Sequence, residues 1–168
     1  MYFCCKSKYK MRKLLKLIPI IIVFVLLSAS CGQKKVYEKF QLFDNNVWSS
    51  SQKINFEPEI TDTSKLYQVT LSIKVLNTFS EKLLPIYCKV LYPNGEERSE
   101  VYNFRFYDSV GKPNGVINDG LRQIDIVAYS KKSFSNIGKY KFELQHGSEK
   151  FNLFGIREIG MVIQTVKK

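Results

Sequence analysis

A two-residue alternation of apolar and polar side chains recurs along this chain, and it is the feature that most constrains the fold. The clearest example runs from residue 67 to residue 75. Because successive side chains of a strand point to opposite faces, this segment predicts a half-buried antiparallel strand. One face carries Tyr67, Val69, Leu71, Ile73 and Val75, and the other carries Gln68, Thr70, Ser72 and Lys74.

Seven further segments have the composition or the alternation of strands, and turn-forming residues separate them. The sequence Pro93-Asn94-Gly95, for example, indicates a hairpin turn. No stretch shows a 3.6-residue period of helical length. About eight short strands therefore predict an all-β fold, an antiparallel β-sandwich of jelly-roll or Greek-key type, with a partly open barrel as the alternative. The seven segments are 36–43, 53–57, 84–92, 101–107, 123–129, 139–146 and 157–166.

The first 30 residues have a different composition from the rest of the chain. They hold six basic residues and no acidic residue, and an apolar run at 17–27 is followed by small residues at 28–30. A basic segment, a short apolar segment and a small-residue cleavage site, in this order, predict a secretory signal peptide at 1–30. The apolar run is short for a membrane-spanning helix, which needs about 20 residues. An uncleaved anchor remains open because the uncharged stretch continues to Gln33.

The segment Leu27-Ser28-Ala29-Ser30-Cys31 resembles the lipobox of bacterial lipoproteins. In that motif the cysteine thiol receives a diacylglyceryl group, cleavage occurs just before the cysteine, and the new amine is acylated, for example with palmitate. Leu27 lies four residues before the cysteine, whereas the usual position is three before it. The resemblance implies lipidation of Cys31, a tether at 31–35 and a folded domain at 36–168. The alternative is an ordinary signal peptide with an incidental cysteine.

The formal charge of +11 depends on the signal peptide. Without its six basic residues, 20 Lys and Arg remain against 15 Asp and Glu, which gives +5. No basic cluster in this remainder exceeds two consecutive residues, so the charges have the pattern of a solvated surface. We therefore expect no nucleic-acid partner.

Candidate catalytic residues are scarce in the exported part. Cys88 has no second cysteine to pair with there, and its alternating neighbours predict a small buried side chain. His146 is the only histidine of the chain and lies at a predicted strand end. A structural histidine is the first interpretation, and a hydrolase that uses His146 as its general base is the alternative. Gly-rich phosphate loops, HExxH, CxxC and GxSxG motifs do not occur.

Two groups of polar residues are candidate sites. Glu96 and Glu97 follow the predicted hairpin turn, where charged residues are expected. A long loop offers oxygen ligands that suit calcium but lack EF-hand spacing. We therefore predict no catalytic residues, no cofactor and no metal site. The loop residues concerned are Asp108, Asn114, Asn118 and Asp119.

Aromatic residues make up 14% of the chain, and their position is open to three interpretations. Most fall at core-facing alternate positions. Others fall on both faces of one strand, as Phe104, Phe106 and Tyr107 do, or lie beside a core position, as Tyr87 does. Packing in the core is the first interpretation. A partner-binding surface and a platform for stacked sugars are the alternatives.

Several short motifs occur in the order in which they occur in one known family. A Val-Tyr-Glu opening at 36–38 precedes Trp48, and Tyr-Lys-Phe-Glu-Leu follows at 140–144. The sharpest motif is Leu-x-Gly-Ile-x-x-Ile-Gly-x-x-Ile, from Leu153 to Ile163, whose glycines could serve a turn and a bulge. With these motifs the sequence resembles the gliding-motility lipoprotein GldH family of Bacteroidota. It departs from the family in the loop 111–115, which lacks a Trp, and at 147–150, where an Arg is expected.

The resemblance implies a non-enzymatic accessory lipoprotein of the gliding machinery and of the linked type IX secretion system. Its partners would be membrane lipid, through acylated Cys31, and other proteins of these complexes. No acidic run follows Cys31, which favours a periplasm-facing anchor in the cell envelope. A carbohydrate-binding envelope lipoprotein is the alternative function.

Overall fold

The computed structural model describes residues 34–167, which form thirteen β-strands and one short 3₁₀ helix, Asp44–Asn46. No helix in this range is both long and apolar enough to cross a membrane. The strands are β1 Lys35–Leu42, β2 Val47–Ser49, β3 Ile54–Phe56, β4 Glu59–Ile60, β5 Leu66–Leu76, β6 Leu83–Leu91, β7 Glu97–Arg105, β8 Val116–Asn118, β9 Leu121–Lys132, β10 Gly138–Lys139, β11 Lys141–His146, β12 Asn152–Phe154 and β13 Ile156–Val166.

Two antiparallel sheets contain the long strands. The five-stranded sheet has the order β1-β13-β5-β9-β8, and the four-stranded sheet has the order β3-β11-β6-β7. Most neighbours within a sheet are distant in sequence, so the chain crosses between the sheets, as in Greek-key and jelly-roll sandwiches. The short pairs β2–β12 and β4–β10 lie outside both sheets.

The core lies between the two sheets and follows the alternation of the sequence. Every second residue of β5, from Tyr67 to Val75, is buried, and so is every second residue of β6, from Leu84 to Val90. Inward side chains of both sheets belong to one hydrophobic cluster. The inner faces of the two sheets pack against each other, so only one face of each sheet is removed from water. This accounts for the two-residue alternation of apolar and polar side chains.

The predicted all-β antiparallel sandwich is confirmed, but eight strands is an undercount. Each of the eight predicted segments overlaps a strand. The five strands missed have two or three residues, which is too few to display an alternation. They are β2, β4, β8, β10 and β12.

The two family glycines of the C-terminal motif have different roles. Gly155 has a φ of +91° where β12 ends and β13 begins, a backbone conformation that favours glycine. Gly160 lies within β13, opposite Phe40 of β1, and the Phe40 ring occupies the space that a Cβ on Gly160 would need. The turn expected for one glycine is therefore present. The bulge expected at the other glycine is absent, because the register irregularity of β13 lies between Ile156 and Glu158. Gly160 instead leaves room for the Phe40 ring on the outer face.

The contact between Phe40 and Gly160 predicts strong coupling between two substitutions. Gly160→Ala should lower the free energy of unfolding of a protein comprising residues 33–168 by about 1 kcal/mol, because the Phe40 ring must leave its seat. In a Phe40→Ala background the same change should be neutral or stabilising, since alanine is favoured over glycine in a strand interior. Urea unfolding of the four proteins measures the coupling. Equal effects of Gly160→Ala in both backgrounds would contradict the prediction.

Candidate functional site

An apolar strip runs along the outer face of the four-stranded sheet. We define the β6 strip as Leu83, Pro85 and Tyr87 of β6 with Val101 of β7. Tyr87 and Val101 are register partners and are 51% and 52% exposed. Alternation explains their position, because their neighbours Ile86 and Cys88 point into the core.

The ring of Tyr87 rests on a glycine of the loop that follows β11. A Cβ on Gly147 would lie 2.6 Å from Cε2 of Tyr87, so the ring needs glycine there. The Gly147 N–H also donates to the carbonyl of Pro85, at 2.8 Å. The segment in which the sequence departs from the family therefore supports the centre of the β6 strip.

Paired charges border the strip. Lys89 of β6 forms an ion pair with Glu97 of β7 at 2.7 Å, and Lys53 forms one with Glu143 of β11 at 2.8 Å. The hydrogen bond from Lys53 holds the pKa of Glu143 below its ordinary value, and the hydrogen bond to Glu97 raises the pKa of Lys89. An apolar centre with a polar rim is the usual anatomy of a protein-binding patch. A groove of about 260 Å³ lies here, lined by Tyr87, Lys89, Ser99, Val101, Glu143 and Gln145.

A second cavity, of about 290 Å³, lies beside the C-terminal motif. The ion pair between Lys150 and Glu81 lies at this cavity, and the exposed ring of Phe154 lines it. The apolar residues of the motif itself are buried in the core, so the motif chiefly specifies packing. These residues are Leu153, Ile156, Ile159 and Ile163.

Arg122 of β9 is 1% exposed and closes the end of the core near the start of β6. Its Nη1 donates to the carbonyl of Phe106 and its Nη2 to the carbonyl of Phe79, both at 3.0 Å. The guanidinium lies 4.8 Å from the ring centroid of Tyr107. Within the described chain Arg122 forms no ion pair, so carbonyl dipoles and ring faces balance its charge.

A carboxylate links the two sheets at the β7 edge. Glu100 of β7 accepts hydrogen bonds from the hydroxyls of Tyr102, at 2.5 Å, and Tyr129 of β9, at 2.6 Å. Burial disfavours the charged form of Glu100, but the two hydrogen bonds outweigh burial and lower its pKa. Burial and the same hydrogen bonds raise the pKa of both tyrosines. The cluster is a structural tie between the sheets.

The cysteines at positions 31 and 88 differ in what the structure shows. Cys31, the predicted lipidation site, lies outside the described residues. Cys88 points into the core, and burial raises the pKa of its thiol to about 12. A thiol with such a pKa is protonated at neutral pH and is a poor nucleophile. The prediction of a small buried side chain at Cys88 is confirmed.

His146 lies in the core at the end of β11. Its ring meets Trp48 edge to face, with centroids 5.2 Å apart. Neither ring nitrogen makes a hydrogen bond of good geometry within residues 34–167; burial lowers the pKa of His146, and the nearby Trp48 backbone opposes this shift only in part. A general base needs a nucleophile within hydrogen-bond reach. The geometry therefore supports the structural interpretation of this histidine.

The structure separates the acidic candidates. Glu96 pairs with Arg98 at 2.7 Å, whereas Glu97 pairs with Lys89. Asp108 accepts backbone N–H bonds from its own loop, at residues 110 and 112. No group of three or more His, Cys, Asp or Glu within residues 34–167 is placed to hold a metal ion.

Sequence reasoning missed Arg122 and the tie at Glu100. Arg122 has the same parity as Ile124, which is buried on the same strand. The alternation along β9 could therefore have predicted that Arg122 points inward. A basic residue at the start of a strand is, however, ordinarily expected to face solvent. The Glu100 cluster gave no signal, because Tyr129 belongs to a distant strand of the other sheet.

The described residues form a β-sandwich domain in which Cys88 and His146 are buried, whereas the acidic candidates Glu96, Glu97 and Asp108 lie on the surface. Residues 35–163 match the family described as GldH lipoprotein, so the chain belongs to the GldH lipoprotein family. A relative, the gliding motility lipoprotein GldH homolog of Christiangramia forsetii, is 23% identical over 152 residues. The match covers 86% of this chain and 93% of that protein.

Solved structures show weaker likenesses. TmCBM61, solved with β-1,4-galactotriose, gives a TM-score of 0.36 at 13% identity and covers 82% of this chain and 86% of that chain. Dimeric latent PorU from Porphyromonas gingivalis gives 0.35 at 11% identity and covers 82% and 14%. These scores bear on neither activity nor ligand.

We expect Arg122→Met to lower the free energy of unfolding by about 1–3 kcal/mol, because two charge-assisted hydrogen bonds are lost. The loss of stability is limited because both carbonyls keep another donor in the variant. The Tyr107 hydroxyl also donates to the Phe79 carbonyl, and the Asn114 N–H donates to the Phe106 carbonyl. Arg157→Met, at an exposed position, is the matched control and should change stability by less than about 0.5 kcal/mol. Urea unfolding measures both, and equal stabilities would show that Arg122 only fills space.

The lowered pKa of His146 predicts a dependence of stability on pH. The folded state binds the proton less readily than the unfolded state, so the contribution is complete above the unfolded pKa of about 6.5 and declines as pH falls below it. The stability of wild type relative to His146→Phe should therefore decrease from pH 8 to pH 5. Urea unfolding at several pH values tests this, and a constant difference would contradict a buried neutral imidazole.

Proposed function

We propose that this protein is a membrane-anchored accessory lipoprotein of the gliding-motility and type IX secretion machinery, and that it acts through protein–protein contact without catalysis. Family membership and the name of the Christiangramia forsetii relative support the gliding role. The lipobox-like segment supports an anchor at Cys31 in the cell envelope, and the absence of an acidic run after Cys31 supports an anchor that faces the periplasm.

The observation that carries the non-catalytic role is the contrast between core and surface. Cys88 and His146 are buried without a reacting partner, whereas the β6 strip exposes apolar side chains beside a groove. Tyrosine is enriched at protein interfaces, where a hydrophobic centre is bordered by polar groups. We therefore place the partner contact on the β6 strip.

A carbohydrate platform has less support on this surface. Sugar stacking needs exposed rings in a row. On the outer face of the four-stranded sheet, Tyr87 is the one exposed aromatic residue that the structure describes. The other aromatic side chains of β3, β7 and β11 are buried or point toward the core.

The proposal predicts that deletion of the gene abolishes spreading on agar and impairs secretion in the source bacterium, and that the wild-type gene restores both. Cys31→Ser should not restore them, because the protein would lose its acyl chains. Normal spreading and secretion in the deletion strain would refute the accessory role.

The double variant Tyr87→Ser/Val101→Ser should keep its membrane level but lose co-purifying gliding or secretion proteins, since the centre of the strip becomes polar. The matched control is Val116→Ser/Val127→Ser, which changes two comparably exposed valines on the five-stranded sheet. Affinity purification from membranes, followed by mass spectrometry, measures the partners. Unchanged partners in the Tyr87→Ser/Val101→Ser variant would place the contact elsewhere, and loss of partners in both double variants would show that the effect is not specific to the β6 strip.

A further inference from the structure

Lysines gather at one end of the five-stranded sheet. The register brings the start of β1, the end of β13, the start of β5 and the end of β9 to the same end, through the pairs Lys35–Gln164, Thr165–Tyr67 and Tyr67–Lys132. Each of these four neighbouring strands has lysine at or next to this end. We define the lysine end as Lys34, Lys35, Lys65, Lys131, Lys132 and Lys167.

Most of this charge lacks an internal partner. Lys35 pairs with Glu38 at 2.7 Å, and Lys65 pairs with Asp62 at 3.0 Å. The other four lysines form no ion pair within the part of the chain that the structure describes. Of these, Lys132 lies over the ring of Tyr129 and is close enough to Glu100 to help lower the pKa of that carboxyl. The neighbouring end of the four-stranded sheet is nearly balanced, because Glu57 pairs with Lys139 and Glu96 with Arg98.

The position of the anchor places this end next to a membrane. Three residue steps separate Cys31 from Lys34, and a fully extended chain covers at most about 11 Å in that distance. The electrostatic potential of an anionic bilayer decays over roughly 8 Å at physiological salt. A tether that is not fully extended therefore lets Lys34, and with it this end of the sheet, come within that distance of the surface.

An exposed apolar residue accompanies the lysines. Ile137 is 65% exposed in the loop that follows β9. Phe134 of this loop packs on Tyr67, with ring centroids 5.4 Å apart, which fixes the loop at the same end. Basic side chains around an apolar tip are the combination that binds lipid headgroups.

We propose that the lysine end is a docking surface for anionic phospholipid headgroups and that it orients the domain upright on the membrane in which Cys31 is anchored. The inference rests on the proposed lipidation of Cys31 and is independent of the partner proteins. Acyl chains supply attachment, and the lysines select one orientation among those that the tether allows. Each lysine near an anionic surface favours that orientation about fivefold.

The test uses the full-length gene product, acylated in its own membrane, purified and reconstituted into vesicles. A single introduced cysteine carries a fluorophore, either at Ser133, beside the lysine end, or at Val110, in a loop at the other end. Cys88 is buried and stays unlabelled, and acylated Cys31 has no free thiol. Spin-labelled lipid quenches whichever fluorophore lies near the bilayer.

In vesicles in which a third of the lipid is phosphatidylglycerol, the Ser133→Cys label should be quenched several-fold more than the Val110→Cys label. The preference should shrink in pure phosphatidylcholine. Lys34→Gln/Lys131→Gln/Lys167→Gln should remove it from anionic vesicles, because three lysines account for about a hundredfold in the orientational ratio. The matched control, Lys82→Gln/Lys112→Gln/Arg157→Gln at the other end, should leave it unchanged.

Three results would overturn the inference. Equal quenching at the two sites in anionic vesicles refutes the orientation, and an unchanged preference in the lysine triple variant refutes the lysines as its cause. A mature protein without acyl chains, detected by mass spectrometry of the Cys31 peptide, refutes the lipidation and this inference together. A motility defect with normal orientation would concern the partner contact alone.

Discussion

The register of β5 is the constraint on which the rest of the structure depends. This strand lies between β13 and β9 at the centre of the five-stranded sheet, and a shift by one residue would expose Leu71 and bury Lys74. Two contacts on the outer face involve β13. The ion pair between Lys74 and Glu158, at 2.7 Å, holds the register of β5 against β13, and the Phe40 ring on Gly160 holds the register of β1 against β13. The outer face therefore contributes to specificity while the inner face supplies most of the burial.

A sandwich without a disulfide must close its ends by packing. Cys88 is the only cysteine within residues 34–167, and it is unpaired. One end is closed by a chain of edge-to-face rings, and the other is closed by a buried guanidinium on backbone carbonyls. Burying the guanidinium of Arg122 costs desolvation free energy, whereas burying the rings does not. The hydrogen bonds of Arg122 offset this cost because both carbonyls lie within hydrogen-bond distance. The ring chain consists of Tyr67, Phe134, Tyr140 and Tyr92.

The sequence predicted what depends on local periodicity and missed what depends on tertiary contact. Strands buried on one face, such as β5 and β6, carry the alternation in full, so their existence and inward faces were predictable. Apart from β3, which Pro58 marks at its end, the strands of two or three residues exist because a neighbour pairs with them, and nothing local marks them. The contact of Tyr87 with Gly147 joins β6 to the loop that follows β11, and the role of Arg122 depends on carbonyls of two distant segments. The sequence pattern predicted a buried Cys88 because that inference needed only the parity of one strand.

The two proposed surfaces lie on different halves of the domain, and the topology explains why both can be used at once. β6 ends at the lysine end, because Tyr92, which follows it, packs on Tyr140 and through Phe134 on Tyr67. Its other terminus, with Leu83, lies beside the end that Arg122 closes, since the backbone N–H of Phe106 donates to the carbonyl of residue 82. A domain that stands with its lysines on anionic headgroups therefore points the β6 strip away from the lipid. Membrane orientation and partner binding then become linked, because a domain lying flat would present the strip to its partner at a different height and angle.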